Sequence, residues 1–164
     1  MDTPLLTETD IRVRIWTELQ CAANDRHHEW RTPVLATAGA DGLPQARTVV
    51  LRQAHSKLGQ LQIYTDNRSP KVAKMTATLG VMLIFWSKRL GWQLRVQATT
   101  GVQQTGAEVD AIWARVSQSP AAGDYLSAHA PGDLVHGSGV AEAADAGVAP
   151  AHHLAIITAQ ALVH

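Results

Sequence analysis

Apolar residues recur at helical spacing near the start of the chain, and they lie on one face of a predicted helix. The residues that share this face are Ile11, Ile15, Trp16 and Leu19. Thr7 and Asp10 form a weak capping box, with Asp in place of the usual Glu or Gln. The pattern therefore predicts a first helix over about Thr7 to Ala23.

Short apolar runs separated by turn signals follow this helix and predict six β-strands. The predicted strands are PVLATAG, PQARTVVLRQ, LQIYTD, VMLIFWSKR, WQLRVQATTGVQQ and HHLAIITAQALV. Asp41-Gly42 is a strong hairpin signal between the first two strands, and Leu90-Gly91 joins the fourth to the fifth. Parallel strands need regular crossover helices, which this order lacks, so the pattern favours an antiparallel barrel.

The remaining segments complete one predicted domain over residues 1–164, of which residues 1–30 form the N-terminal helix and lead-in. Three further helices are predicted, in SPKVAKMTATL, GAEVDAIWARVS and SPAAGDYLSAHA. Residues 131–150 are rich in Gly and Ala without periodicity, which predicts a flexible loop.

The composition is that of a globular chain, with 46% hydrophobic and 17% charged residues. The longest apolar run, Val81 to Trp86, falls far short of the roughly 20 residues of a membrane span. The N-terminus is acidic where a signal peptide would be basic, so we expect a cytoplasmic protein without membrane association. Cys21 is the only cysteine, which excludes an internal disulfide.

The neutral overall charge hides an uneven distribution. Between Arg47 and Arg95 there are nine basic residues and one acidic residue, Asp66, which gives this segment a net charge of +8. The flanking segments, with five basic and thirteen acidic residues, carry −8. One interpretation is solvated side chains on strand edges, and the other is a pocket for an anion such as phosphate. A nucleic-acid surface is disfavoured by the neutral balance and the 5% aromatic content.

Ser69-Pro70-Lys71 combines a preferred N-cap, a preferred first helical residue and a lysine in the first turn. A lysine is unfavourable there because the N-terminal end of the helix dipole is positive. A bound phosphate would resolve this conflict, since the free backbone N–H groups and Lys71 would both contact it. The alternative is a solvated lysine that tolerates the dipole.

The common catalytic templates are missing from the sequence. There is no GxSxG motif, the GSG at Gly137 to Gly139 lacks the rest of a dinucleotide-binding motif, and the histidines have no metal-ligand spacing. We therefore assign no catalytic residue and expect no metal site. Trp86 and Trp92 are interpreted as core or interface residues.

Three ordered motifs make the region from about Arg31 to Ser119 similar to a known family. They are RTPVLATAGADGLPQARTVVLR, IYTDNRSPK and IFWSKRLGWQLRV. The region resembles the pyridoxamine 5'-phosphate oxidase-like, FMN-binding split-barrel family. The resemblance implies a mainly β protein: a six-stranded antiparallel split β-barrel of Greek-key topology with flanking α-helices. It also implies FMN bound at a homodimer interface.

The resemblance also implies roles for individual residues. It implies that the strand from Arg47 to Arg52 binds the FMN phosphate and borders the flavin, and that Gln93 lies close to the flavin ring. The full set of implied cofactor-binding residues is Arg47, Thr48, Val49, Val50, Arg52, Tyr64, Thr65, Ser69, Lys71 and Gln93. The charge count and the capping argument select several of the same residues.

The substrate side of the family pattern is matched less completely. Arg115 and Ser119 keep the family's Arg-x3-Ser spacing, but Ala111 occupies its tyrosine position and Val116 replaces its proline. The resemblance thus implies Arg52, Arg115 and Ser119 as substrate-binding residues. It is closer to the related FMN-binding members than to the vitamin B6 enzyme.

Two functions follow as expectations. The first is a flavin-dependent oxidoreductase acting on a small molecule, in which the flavin carries the redox chemistry and the protein supplies binding, orientation and charge. The second is a non-catalytic FMN-binding or regulatory protein without a functional substrate site. The sequence names neither the substrate nor the electron donor.

Overall fold

A computed structural model describes residues 4–39, 41–66, 80–118 and 154–162 as two α-helices, a short 3-10 helix and seven β-strands. The helices are α1 (Glu8–Asn24), the 3-10 helix (Glu29–Arg31) and α2 (Ala107–Val116). The strands are β1 (Val34–Ala38), β2 (Pro44–Thr48), β3 (Leu51–His55), β4 (Gln60–Asp66), β5 (Val81–Ser87), β6 (Trp92–Gln103) and β7 (Leu154–Ala161). They form one antiparallel sheet in the order β2-β1-β5-β6-β7-β4-β3.

The N-terminal helix begins where the sequence predicts. The Thr7 hydroxyl accepts a hydrogen bond from the Asp10 backbone N–H at 3.1 Å, and the Asp10 carboxylate accepts one from the Thr7 N–H at 2.9 Å. These reciprocal bonds satisfy two of the backbone N–H groups that a helix start leaves unpaired. The capping box and the first helix are therefore confirmed.

The prediction of six strands is wrong because the segment PQARTVVLRQ forms two strands, β2 and β3. The backbone N–H of Val49 donates to the carbonyl oxygen of Pro33 at 3.0 Å, which continues the β1–β2 register one residue beyond Val34 and Thr48. The chain then leaves β1 and pairs with β4 through β3, at the opposite edge of the sheet. After its first residue the segment PQARTVVLRQ contains no glycine or proline, so the pattern alone does not reveal this break.

The short link between β2 and β3 forces the sheet to curl. Seven strands about 4.8 Å apart would separate the edges of a flat sheet by about 29 Å. Thr48 and Leu51 end and begin the two edge strands, and three Cα–Cα steps of about 3.8 Å span at most about 11 Å. The edges therefore approach each other here. Within the described residues β2 and β3 do not pair, so the antiparallel sheet is confirmed but no closed barrel forms.

Two apolar clusters pack on opposite faces of the sheet. The larger one lies on the face that α1 covers, where Trp30 and Phe85 pack with ring centroids 5.8 Å apart and α1 contributes Leu19. The smaller one holds α2 against β4 and β7, with Val109 and Ile156 fully buried. Among the described residues, the two helices thus cover different parts of the sheet.

A polar cluster ties α1 to the 3-10 helix and to the turn between β5 and β6. The Trp30 N–H donates to Nδ1 of His28 at 3.0 Å, so the His28 proton lies on Nε2 and is donated to Glu18 at 2.7 Å. Arg89 contacts the same Glu18 oxygen at 3.0 Å. The hydrogen bond from His28, with a smaller contribution from Arg89, lowers the pKa of the Glu18 carboxyl below its ordinary value.

We expect Glu18→Gln to lower the free energy of unfolding by about 1 kcal/mol near neutral pH. A carboxyl whose pKa is lowered by folding stabilises the fold above its unfolded pKa of about 4.3, and this contribution disappears as the pH falls through the folded pKa. The difference between parent and variant should therefore shrink as the pH is lowered from about 7 to about 3. Urea unfolding at both pH values measures it, and a difference independent of pH would contradict the assignment.

Several predicted segments lie outside the described residues. They are the helix in SPKVAKMTATL, the second helix SPAAGDYLSAHA and the loop over residues 131–150. The two hairpins are confirmed by the pairing of β1 with β2 and of β5 with β6. Gly42 and Gly91 have φ values of 79° and 65°, in the left-handed region that favours glycine. Within the described residues, no helix is long and apolar enough to cross a membrane.

Candidate functional site

Arg47 lies on β2 with its guanidinium held against the neighbouring strand. Its Nη1 donates to the Thr37 hydroxyl at 2.8 Å and to the Leu35 carbonyl oxygen at 3.4 Å. Burial lowers the pKa of the Arg47 guanidinium, yet an arginine remains charged in a protein. Both bonds use the same nitrogen, so no hydrogen bond from another described residue occupies the other two donor nitrogens of this cation.

Arg52 lies on β3, at the irregularity in its pairing with β4, and contacts Tyr64. Its guanidinium carbon is 5.8 Å from the centroid of the Tyr64 ring, and the Tyr64 hydroxyl accepts a hydrogen bond from Gln53 at 2.9 Å. Nε of Arg52 is buried and has no hydrogen-bond partner among the described residues. A buried donor without a partner is costly, and an anionic oxygen would satisfy it.

Arg31 adds a third cation that the sequence analysis did not select. Burial, and then the positive charge of nearby Arg52, lowers the pKa of the Arg31 guanidinium, while Asp25 opposes the shift. Nη1 of Arg31 donates to the carbonyl oxygens of Ala22 and Ala23 at the end of α1. The only sequence signal was a basic residue just before β1. Its proximity to Arg52 depends on how α1 packs against β3.

The other implied cofactor residues on β2 to β4 have different exposures. Thr48 is exposed, Val49 is buried and Val50 is half-buried. Thr65 is buried at the end of β4, and its hydroxyl oxygen has no hydrogen-bond partner among the described residues. The unpaired polar atoms of Thr65 and Arg52 thus belong to two strands that are direct neighbours in the sheet.

Gln93 is not grouped with these residues within one chain. It is exposed on β6, three strands from β2 and three from β3, which corresponds to about 14 Å across the sheet. Its register partner on β5 is Trp86, whose side chain is 57% exposed. Trp92, by contrast, packs against the large core cluster, with the Arg14 guanidinium 5.1 Å from its ring centroid.

The implied substrate residues are only partly described. Arg115 is exposed in the last turn of α2, and Ala111, one turn earlier, is exposed on the same face. Ser119, Ser69 and Lys71 lie outside the described residues. Among the described residues, no cluster of three or more His, Cys, Asp or Glu side chains is arranged to hold a metal ion.

The described residues fit a phosphate-bearing, planar cofactor. Arg47 and Arg52 lie on the two strands that the short β2–β3 link joins, Arg31 lies near Arg52, and the buried Nε of Arg52 needs an acceptor. Charge-assisted hydrogen bonds from guanidinium groups are among the strongest that proteins make to phosphate. The tyrosine ring beside Arg52 offers an aromatic surface. The arrangement can bind and orient an anion but contains no evident acid–base pair.

Comparison with known families and proteins identifies the same region. A sequence profile described as pyridoxamine 5'-phosphate oxidase, FMN-binding domain, matches residues 5–104. A pyridoxine/pyridoxamine 5'-phosphate oxidase of Thermosynechococcus vestitus is 34% identical over 100 residues, which are 61% of this chain and 45% of the relative. That of Azorhizobium caulinodans is 34% identical over 116 residues, or 68% and 53%. The chain thus spans about half the length of these relatives.

Solved structures share the fold. A pyridoxamine 5'-phosphate oxidase-related, FMN binding protein from Nostoc punctiforme superposes with a TM-score of 0.68 at 16% identity, covering 96% of this chain and 83% of the other. General Stress Protein 26 from Bacillus anthracis gives a TM-score of 0.56 at 12% identity, covering 90% and 89%. At these identities the likeness establishes the architecture alone.

Proposed function

Because this chain belongs to the family of pyridoxamine 5'-phosphate oxidase FMN-binding domains, we propose that it is an FMN-dependent oxidoreductase acting on a small molecule. FMN is the cofactor of this domain family. The observation that carries the proposal is the buried Nε of the Arg52 guanidinium group, which has no partner among the described residues and lies near the positive charge of Arg31. The open seam between β2 and β3 supports a split barrel in which this group lies at the cofactor site.

Each residue has a role in this proposal. Arg47 binds the FMN phosphate, together with Ser69 and Lys71 at the start of the helix predicted there. Arg52 and Tyr64 border the flavin ring, together with Thr65 and the β2–β3 link of Thr48, Val49 and Val50. FMN supplies the redox chemistry when it is bound, and the protein supplies binding, orientation and charge. Arg52 would place a positive charge beside the bound flavin, because its guanidinium lies against the Tyr64 ring.

The second candidate is a non-catalytic FMN-binding or regulatory protein. Ala111 favours it, since the family's substrate helix has a tyrosine there, and Arg115 favours the enzyme. Both residues lie exposed on α2 in the described part of the chain. Arg52, Arg115 and Ser119 are the substrate-binding residues that we propose for the enzyme.

Stopped-flow reduction distinguishes the two candidates. The FMN-loaded protein is mixed without oxygen with NADH, NADPH or pyridoxamine 5'-phosphate, and the loss of flavin absorbance is followed. An oxidoreductase is expected to bleach with at least one donor, at a rate that saturates with donor concentration. For the regulatory protein, we expect that none of the three donors reduces the bound flavin faster than it reduces free FMN.

We further propose a homodimer with FMN between the subunits. Gln93 is three strands away from both Arg47 and Arg52, so a second copy would supply the glutamine to the same flavin. Beside Gln93, the sheet face carries the half-buried Ile84 and the exposed Trp86, which is an apolar surface suited to a subunit contact.

Trp86→Lys should both convert the dimer into a monomer and weaken the binding of FMN. The reason is that a charged side chain would be buried without a partner at the subunit contact. Sedimentation velocity with and without FMN measures the first effect, and flavin titration the second. Leu43→Lys, a change of another exposed apolar residue in the β1–β2 turn, is the matched control. A parent protein that sediments as a monomer while binding FMN tightly would contradict the interface.

A further inference from the structure

A cavity lies beneath α1, and none of the residues that line it is assigned above to FMN or substrate. Its volume is about 870 Å³. One wall is α1, and the others are the turn between β3 and β4, the middle of β6 and the end of β7. Pockets of roughly 300–1,000 Å³ are typical of small-molecule sites, so this cavity is large enough for an organic ligand.

The cavity has an apolar interior that continues into exposed apolar residues at its rim. Leu19 and Leu61, which are 1% and 2% exposed, form part of its floor and belong to the large core cluster. Ile11, Leu58 and Leu162 line it while remaining 38%, 61% and 46% exposed. Three exposed large apolar side chains around one cavity are an unfavourable arrangement in water, and an apolar ligand would cover them.

The charges around the cavity are predominantly positive. Arg12, Lys57 and Arg95 line it, together with the single carboxylate of Glu8. Glu8 is already paired with Arg12, whose Nε and Nη2 lie 3.0 and 2.9 Å from the same carboxylate oxygen. Lys57 and Arg95 form no ion pair within the described part of the chain. Two cations are therefore available to a negatively charged group at the rim.

The walls of the cavity are held in position by polar contacts. The Gln160 amide on β7 donates to the carbonyl oxygens of Leu58 and Gly59 at 2.8 and 3.3 Å, and this holds the β3–β4 turn with Lys57 and Leu58 at the rim. Opposite the turn, Glu18 anchors α1 through His28 and Arg89. A ligand would meet a preformed pocket, which reduces the ordering cost of binding.

From the apolar floor and the two available cations, we propose that this cavity binds an organic molecule with an apolar body and one anionic headgroup. The apolar body lies against the core side of α1 and replaces water over Ile11, Leu58 and Leu162. The headgroup lies at the rim, where Lys57 and Arg95 neutralise it. The site shares no residue with the proposed FMN site, so its occupancy does not depend on that proposal.

Isothermal titration calorimetry with octanoate tests the proposal on FMN-saturated protein and on protein without added FMN. Octanoate should bind at least about tenfold more tightly than octylammonium and 1-octanol, because only the anion matches the rim. Hexanoate should bind about fifteenfold more weakly, at about fourfold per methylene removed from the apolar floor. Octanoate binding should be equal in the two protein preparations, and the flavin absorbance should stay unchanged.

Lys57→Gln combined with Arg95→Gln should weaken octanoate binding at least about tenfold, while 1-octanol binding stays constant. Both side chains are exposed, so folding should be preserved. The control removes two other exposed cations, with Arg26→Gln and Lys88→Gln, and should leave octanoate affinity at the parent value. Absent octanoate binding, equal affinity for octylammonium, or an unchanged affinity in the Lys57 and Arg95 variant would each overturn the proposal. So would displacement of FMN by octanoate.

Discussion

Replacing Arg47 and Lys71 together with alanine is expected to weaken FMN binding by roughly two to four decades while the sheet stays folded. Each charge-assisted hydrogen bond to phosphate is worth about 1.5–3 kcal/mol, and about 1.4 kcal/mol corresponds to a tenfold change in affinity. Titration of flavin fluorescence measures the affinity, and circular dichroism measures the fold.

Two controls separate phosphate binding from a structural effect of Arg47. Arg47→Ala removes the donor to Thr37, so the single variant is compared with the parent in urea unfolding. Arg26→Ala with Lys88→Ala removes the same total charge from exposed positions and should leave FMN affinity unchanged. An affinity of the Arg47 and Lys71 variant within about threefold of the parent would refute the phosphate assignment.

Oxidation of pyridoxamine 5'-phosphate is expected to be weak or undetectable, even with FMN fully bound. Ala111 lacks the hydroxyl donor of the family's tyrosine, and one hydrogen bond missing from a phosphate costs about 1.5–3 kcal/mol. Ala111 and Arg115 lie one turn apart on the exposed face of α2, so a tyrosine at position 111 could join Arg115 on one phosphate. Hydrogen peroxide release under air measures turnover.

Ala111→Tyr should improve binding of pyridoxamine 5'-phosphate by roughly one to two decades if α2 closes over the flavin. Ala114→Tyr is the matched control, since it adds the same side chain next to Arg115 in sequence, where side chains do not face each other. Rapid turnover of pyridoxamine 5'-phosphate by the parent protein would contradict the expected weak activity and support a role in vitamin B6 metabolism.

The local structure of the chain could be predicted from short-range patterns. The capping box at Thr7 and the glycine turns at Gly42 and Gly91 lie where the sequence indicates, because each depends on neighbouring residues only. The division of PQARTVVLRQ into β2 and β3 could not be predicted in this way. It depends on which distant strand each half of the segment meets, β1 for the first half and β4 for the second.

The residues of the candidate site could also be predicted from the sequence only in part. Arg47, Arg52 and Tyr64 were selected from charge distribution and from ordered motifs, and the FMN-binding family that those motifs indicated is confirmed by the matching profile. Arg31 was missed, because a lone arginine before a strand has no local signal for its proximity to Arg52. The roles of all these residues toward FMN stay predictions until the variants are measured.

The sequence by itself determined the two antiparallel hairpins, the first helix, the family and its cofactor. These properties are encoded in periodicity, turn chemistry and ordered motifs, which act over a few residues. Only the tertiary structure decided that Arg31 lies near Arg52 and that Gln93 is three strands away from both β2 and β3. It also decided that a cavity with positively charged side chains at its rim lies beneath α1. The physical reason is that these relations arise from the curling of a seven-stranded sheet and the docking of α1, which bring together residues far apart in the chain.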